Sequence, residues 1–243
     1  MDVSLKNVSK SFDKQAVIEN LSLDIPSGAV VCLLGPSGSG KTTTIRLMIG
    51  AIAADSGRIK MGDTLVPNLK LLLKIGFMPQ NDALYDDLSG EDNLKFFAAL
   101  YGVKRVDIPN RIDEVLKLVD LTNDRKKHVK KYSGGMKKRL SLAAALVHDP
   151  EIFLLDEPTV GIDPVLRHTI WERFKEFKQK GKTIIVSTHV MDEVIECDQA
   201  ALIYGGKLIA YDAVDALLSQ TKSGKVEELF FIAAKREMGG AAV

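Results

Sequence analysis

The chain reads as an α/β fold built on a mainly parallel sheet, and three stretches of its 243 residues point there. The apolar run Ala29–Leu34 stops at a glycine cluster and is followed by a helix-like segment, the strand–turn–helix order of such folds. A second run, Ile152-Phe153-Leu154-Leu155, is apolar throughout, as in a strand buried on both faces. From about Ser89 to Val147 the spacing is helical with no convincing strand, after which strand–helix alternation resumes. The expectation is one domain over residues 1–243. Residues 1–87 and 148–243 form the α/β core, which opens with an antiparallel β subdomain, and 88–147 form an inserted helical subdomain.

This length can bury a sizeable core without disulfides or metal staples. A net charge of +1 gives no bulk attraction to a polyanion, and no nucleic acid partner is expected. Cys32 and Cys197 belong to no C-x-x-C or metal pattern, and Cys32 sits where a small core residue belongs. That usage suits a reducing compartment. No basic segment followed by a long apolar one opens the chain, and apolar runs of about six residues fall far below the roughly 18 needed to cross a bilayer. The chain is therefore expected to be soluble by itself, with any membrane role depending on a second chain.

Each element has its own signal. Val3, Leu5 and Val8 indicate a first strand with a break near Lys6-Asn7, and Phe12 falls in the polar turn Ser11–Lys14. Leu21, Leu23 and Ile25 alternate with Ser22 and Asp24, a half-buried strand. After the glycine cluster, Ile45, Met48, Ile49 and Ile52 follow helical spacing, with Ser56-Gly57 as the stop. Arg58–Met61 and Thr64–Val66 form a hairpin about Gly62-Asp63. Ile75–Met78 is a short strand ended by Pro79-Gln80. Ser89 caps a helix with an acid three residues on. Asp163-Pro164 starts another, striped by Leu166, Ile170, Phe174 and Phe177 and ended by Gly181. Thr183–Thr188 is a strand running into His189, and Ala201–Tyr204 and Lys207–Ala210 form a hairpin on Gly205-Gly206. Two short helices follow, and Gly239–Val243 are expected to fray.

Gly35-Pro36-Ser37-Gly38-Ser39-Gly40-Lys41-Thr42 fits G-x-x-x-x-G-K-[ST], the phosphate-binding loop. Glycines let the backbone curl around a polyphosphate without Cβ clashes. The amides of about Gly38 to Thr43 point inward, and the new helix adds its positive end. Lys41 reaches the β- and γ-phosphates in this reading, and the Thr42 hydroxyl holds Mg²⁺. Asp156-Glu157 ends the apolar run at Ile152–Leu155, at the sheet edge where open α/β folds bind ligands. Asp156 is expected to hold Mg²⁺ and Glu157 to orient or deprotonate an attacking water. Tyr132-Ser133-Gly134-Gly135-Met136 opens a helix carrying Met136, Leu140, Ala143, Ala144 and Val147 on one face, a second anion site at a helix start. Arg125–Lys131, a basic run, reads as a solvated linker face.

With Gln80 before that segment and His189 after it, the chain resembles the nucleotide-binding subunit of ATP-binding-cassette (ABC) transporters over nearly its whole length. The resemblance implies a P-loop NTPase with a RecA-like core. It makes Gln80 a sensor of Mg²⁺ and the attacking water, and His189 a contact of the γ-phosphate and Glu157. It places Phe12 against adenine and Asp163 in the loop that crosses a dimer seam. It sets Ser133, Gly134 and Gly135 on the nucleotide held by a second ATPase subunit, identical or related. ATP and Mg²⁺ are then the bound species. A transmembrane permease is the partner, docked near Leu84-Tyr85 and Phe96-Phe97, and the chain sits on the cytoplasmic face of the membrane. Met136 stands where the family has Gln, and Val160 where it has Ser, so one sugar contact and one hydroxyl bond are missing. The Tyr-Ser-Gly-Gly-Met form resembles exporters of drugs, polysaccharides and lipids. The alternative is a soluble ATPase of the same family acting on nucleic acid or ribosomes, which usually carries two cassettes or a long coiled coil. A GTPase would be expected to show Asn-Lys-x-Asp, which is absent, and a small-molecule kinase gives no reason for Ser133-Gly134-Gly135.

Overall fold

Period-two burial builds the first layer. In the computed structural model, which describes residues 1–238, β1 (Val3–Phe12) and β2 (Gln15–Ile25) pair antiparallel and bury Val3, Leu5, Val8, Leu21, Leu23 and Ile25. Gly239–Val243, where fraying is expected, lie outside the described residues. The anticipated break appears as register shifts between Leu5 and Val8, with Asn7 at φ +52°. Phe12 closes the strand rather than lying in a turn, because its Cα partner Gln15 extends the ladder to the tip.

The second sheet begins at β3 (Val30–Leu34), and α1 (Lys41–Ile49) follows the glycine loop. The expected stop of α1 at Ser56-Gly57 is wrong. The helix ends at Gly50, which takes the left-handed conformation with φ +77°. A Cβ there would stand 2.8 Å from Pro67 Cβ, so both conformation and space require glycine. Ser56-Gly57 instead opens β4 (Ser56–Met61), which pairs with β1 and with β5 (Thr64–Leu65). A short α2 (Leu69–Leu72), not anticipated, is capped by the Asn68 side chain accepting from Lys70 N–H. β6 (Ile75–Met78) then enters the second sheet.

Between β6 and β7 (Ile152–Asp156) the described elements are helical: α3 (Gly90–Leu100), α4 (Ile108–Leu118), α5 (Gly134–Leu146) and short 3-10 turns. Ser89 Oγ accepts from Asp92 N–H at 3.1 Å and donates to Asp92 Oδ2 at 2.6 Å, as the cap signal implies. The one-face reading of α5 understates it. Ser141, Leu142, Ala145 and Leu146 are buried as well as Leu140, Ala143 and Ala144, because its second half runs under the other helices and the sheet. Arg111 of α4 donates to the carbonyls of Val147 and Leu146 at 3.0 Å each, tying the helical stretch to the chain leading into β7. The basic run is largely neutralised: Arg125 meets Glu91 and Asp113, Lys127 meets Asp124, and Lys130 meets Asp87.

α6 (Pro164–Gln179), β8 (Thr183–Thr188), β9 (Gln199–Tyr204), β10 (Lys207–Ala213), α7 (Val214–Ser219) and α8 (Glu227–Met238) complete the order. The sheets run β2-β1-β4-β5 and β10-β9-β3-β8-β7-β6. In the larger one every described pair is parallel except β9–β10. Every residue of β3, β7 and β8 is buried. Val31, Leu33, Leu154 and Ile185 pack toward β1, β2 and α1, while Cys32, Leu34, Phe153 and Val186 pack toward the helices. A sheet covered on both faces explains the uninterrupted apolar runs. Its neighbour order brings the carboxyl ends of β3, β8 and β7 side by side, which is where the site forms.

One buried titratable group sets an acid limit. His148 stacks on Tyr101 with ring centroids 3.9 Å apart, and its Nε2 lies 3.1 Å from the Ile75 carbonyl, which accepts. Its Nδ1 is buried without a partner, so a second proton there has no acceptor. Burial lowers its pKa to about 4 from 6.5. The unfolded chain therefore binds this proton more readily, and stability from the neutral ring, complete above pH 6.5, is lost as pH falls toward 4. The upper bound is about 3 kcal/mol. Thermal melting is expected to fall over that window in the unaltered chain and to fall less in His148→Gln; equal pH slopes for the two would refute the assignment.

Candidate functional site at the ends of β3, β7 and β8

The glycine loop takes the shape that its residue types permit. Gly38 and Gly40 have φ of +79° and +106°. Ser39 N–H donates to the Pro36 carbonyl at 3.2 Å and Thr44 N–H to the Gly40 carbonyl at 2.8 Å, where α1 begins. A Cβ on Gly35 would sit 2.2 Å from the Ile203 carbonyl oxygen, so the loop leaves β3 pressed against β9. Gly38 has open space around it, which leaves that backbone approachable. Lys41 is 5% exposed and its Nζ donates to the carbonyls of Gly35 at 2.7 Å and Pro36 at 2.9 Å. Burial lowers its pKa, and the negative charges of Glu157 and Asp156 act in the opposite direction. Burial that disfavours the bare ammonium is relieved by an anionic ligand, against the repulsion of the two carboxylates.

β7 delivers the acids. Asp156 is buried and pairs in register with Ser187 of β8, whose Oγ donates to Asp156 Oδ1. Glu157 has φ +53°, outside the range comfortable for a residue with a Cβ. Its N–H is held in that turn by the Ser187 carbonyl and Ser187 Oγ, each at 3.1 Å. The turn swings its carboxylate into the cleft. Glu157 Oε1 lies 2.8 Å from His189 Nδ1, and Oε2 accepts from Gln80 Nε2 at 3.4 Å. Gln80, Glu157 and His189, spread over more than a hundred residues of sequence, thus meet at one carboxylate. Val17, Ser37, Gly38, Gly40, Lys41, Thr42, Thr43, Gln80 and Glu157 line a cleft of about 190 Å³.

Other sequence-predicted residues lie elsewhere. Ser133, Gly134 and Gly135 form the start of α5, where Ser133 Oγ accepts from Met136 N–H at 3.2 Å; they are absent from the cleft lining. A Cβ on Gly135 would approach the Gly161 carbonyl at 3.5 Å, so this helix start adjoins the loop that carries Asp163. Asp163 Oδ1 accepts from Leu166 N–H at 3.0 Å, as an N-cap of α6. Phe12 is 45% exposed, with Lys10 Nζ 5.4 Å from its ring centroid.

Two polar residues escaped sequence reasoning. Ser187, which fixes both acids, had as its signal only a polar residue inside an apolar strand. Lys138 of α5 donates to the Gln80 carbonyl at 3.3 Å. Burial lowers its pKa, against the fields of Asp82, Glu157 and Asp156. It ties the helix start at Ser133 to the loop carrying Gln80, and nothing in its local sequence sets it apart from its neighbour Lys137.

Oxygen donors at Thr42 and Asp156 suit a hard divalent cation such as Mg²⁺, which takes few protein ligands and completes its shell with water and phosphate. Among the described residues no group of three or more His, Cys, Asp or Glu could hold a metal. No helix of the described residues is long and apolar enough to cross a membrane.

Comparison with known proteins agrees with this geometry. The family model for the ABC transporter matches residues 18–160. The linearmycin resistance ATP-binding protein LnrL of Bacillus subtilis is 37% identical over 95% of this chain and 78% of its own length. The Nod factor export ATP-binding protein I of Paraburkholderia xenovorans is 36% identical over 94% of this chain and 76% of its own. ABC transporter G family member 20 of Dictyostelium discoideum is 38% identical over 97% of this chain, which spans only 32% of that longer protein. Among solved structures, the ATP-binding subunit of an ABC transporter superposes with a TM-score of 0.88 at 26% identity, covering 97% of this chain and all of that one. A dimeric ATP-binding cassette in a post-hydrolysis state, bound to ADP and Pi, gives 0.80 at 25% identity over 87% of this chain and 98% of its own. The family match over residues 18–160 and relatives 36–37% identical over about three quarters of their own length place the chain in the ABC transporter family, as an ATP-hydrolysing domain.

Proposed function

We propose that the chain is the ATP-driven subunit of a membrane exporter and works as a pair of ATPase subunits on the cytoplasmic face of a transmembrane permease. The observation that carries the pairing is the likeness to a cassette solved as a dimer. Ser133, Gly134 and Gly135 open a helix start of the kind that binds anions, beside the loop that carries Asp163. A second copy or a related subunit, packed head to tail, supplies a phosphate for them to meet. The dimeric cassette with ADP and Pi supports such a pair, and the linearmycin resistance and Nod factor export names support an exporter. In the same reading residues 88–147 form the helical subdomain within a core of 1–87 and 148–243. Tyr85, 49% exposed, and Phe96, 40% exposed, meet edge to face with centroids 4.8 Å apart, an apolar surface on which a permease segment can seat.

In the reaction Lys41 exchanges its loop carbonyls for phosphate oxygens, and the amides of Gly38 to Thr43 bind the remaining charge. Thr42, Asp156 and Gln80 would hold Mg²⁺, which would supply neutralisation of charge on the phosphates. Glu157 orients the attacking water and accepts its proton, while His189 and Gln80 fix the carboxylate. Phe12 stacks on the adenine, and Asp163 belongs to the loop at the seam. Loss of the γ-phosphate removes contacts on both subunits, so hydrolysis shifts the pair toward its open form.

The test is capture from membranes together with turnover. Purified chain is expected to hydrolyse ATP without an added acceptor and to recover a protein with several membrane spans from solubilised membranes. Recovery of ribosomes or nucleic acid in its place would overturn the transport reading and leave the ATPase standing.

A further inference from the structure

Glu193 lies in the 3-10 turn Met191–Glu196 that follows His189 and is 4% exposed. A carboxylate so deeply placed needs partners for both oxygens, and it has them. Oε1 accepts from Thr159 Oγ1 at 2.5 Å, and Oε2 accepts from Thr188 Oγ1 at 2.7 Å. Both threonines are buried, at 1% and 0% exposure. The Thr188 hydroxyl also accepts from Val190 N–H at 3.0 Å, so His189 is bracketed by one hydroxyl. Arg167 Nε lies 3.9 Å from the same carboxylate, and its Nη2 donates to the Ile162 carbonyl at 3.1 Å.

These partners have a common address. Thr159 stands two residues after Glu157, and Thr188 one residue before His189. The two groups that meet at 2.8 Å in the cleft are therefore carried on two segments clamped together behind it by a single carboxylate. We infer that Glu193 is a positioning residue for hydrolysis: through Thr159 and Thr188 it sets the approach of His189 to Glu157, and through Thr159 and Arg167 it holds the loop that runs to Asp163. This rests on the ATPase reading above and adds to it a residue that touches no substrate. A side chain bonded to two segments transmits a shift in either, since a buried carboxylate with both oxygens hydrogen-bonded has few alternative arrangements.

Removal of the carboxylate itself, as in Glu193→Leu, leaves two buried hydroxyls without their acceptor and puts folding at risk. Thr159→Val and Thr188→Val delete one hydroxyl each at nearly constant shape, and Thr159→Ser and Thr188→Ser retain it. In steady-state ATP turnover by the full chain, each valine variant is expected to lose at least about tenfold in kcat with KM and calorimetric ATP affinity within about threefold, and each serine variant to stay within about threefold of the unaltered rate. The double valine variant is expected to lose less than the product of the single losses, because one clamp is being broken twice. Wild-type kcat in the valine variants, a change confined to KM, or equal losses in valine and serine variants would overturn the inference while leaving the ATPase reading in place. Absence of turnover in the unaltered chain would instead overturn that reading, and this inference with it.

Discussion

Glu157→Gln is expected to lower ATP turnover by about 10²- to 10⁴-fold, the range for deletion of a general base, while leaving ATP affinity within about threefold. The geometry explains why the two effects separate. The carboxylate accepts from His189 on one oxygen and from Gln80 on the other. The amide keeps one acceptor oxygen, so one of those bonds survives, but it cannot take a proton from water. Lys41, Thr42 and Asp156 are untouched, and Asp156 stays anchored by Ser187. Triphosphate should therefore bind and persist, and pairs of subunits should accumulate with ATP and Mg²⁺ in size-exclusion chromatography. The backbone cost of φ +53° is borne by glutamate and glutamine alike, so thermal stability should change little. Turnover at the unaltered rate would refute the role of Glu157. Loss of turnover with no ATP-dependent pair would leave that role standing and refute the head-to-tail closure.

The phosphate loop and the acidic strand end were legible because their signals are local. Gly35 to Thr42 must follow a strand and open a helix, and Ile152 to Leu155 must be apolar on both faces, whatever the rest of the molecule does. The approach of Gln80 and His189 to Glu157 came only from resemblance, since a lone Gln or His is unremarkable in its own neighbourhood. The end of α1 was misplaced for a tertiary reason. Apolar spacing continues to Ile52, but Gly50 lies against Pro67, and that crowding is absent from any window of local sequence. Lys138 bonds a carbonyl 58 positions away, and Ser187 bonds an acid 31 positions away. The Ser187 contact follows from strand register and the Lys138 contact from the packing of α5 beside the chain that leaves β6, and an apolar pattern alone leaves both undetermined. Val17 enters the cleft in the same way, carried there by β2, whose extension back to Gln15 was not anticipated.

Lys41→Ala should weaken ATP binding by about 100-fold or more with little effect on the fold, and the balance of terms at Lys41 says why. Its ammonium donates to two loop carbonyls, but burial already disfavours its charge, as the lowered pKa reflects. Deletion thus loses two hydrogen bonds and relieves a desolvation cost, terms of opposite sign that leave stability nearly level. Binding has no such compensation. Hydrogen bonds to charged groups contribute about 1.5–3 kcal/mol each, so the loss of two phosphate contacts amounts to about 3 kcal/mol or more, which is roughly two decades in affinity. The hydrophobic variant Lys41→Met separates charge from packing. It keeps the stem inside the loop, so equal weakening in Ala and Met variants assigns the effect to the ammonium. Recovery of binding in Met alone would assign it to loop shape. Calorimetry with ATP and Mg²⁺ measures both, with melting temperature as the fold control. Unchanged affinity in a folded Lys41→Ala variant would remove Lys41 from the nucleotide site and, with it, the chief reason to place the γ-phosphate between this loop and Glu157.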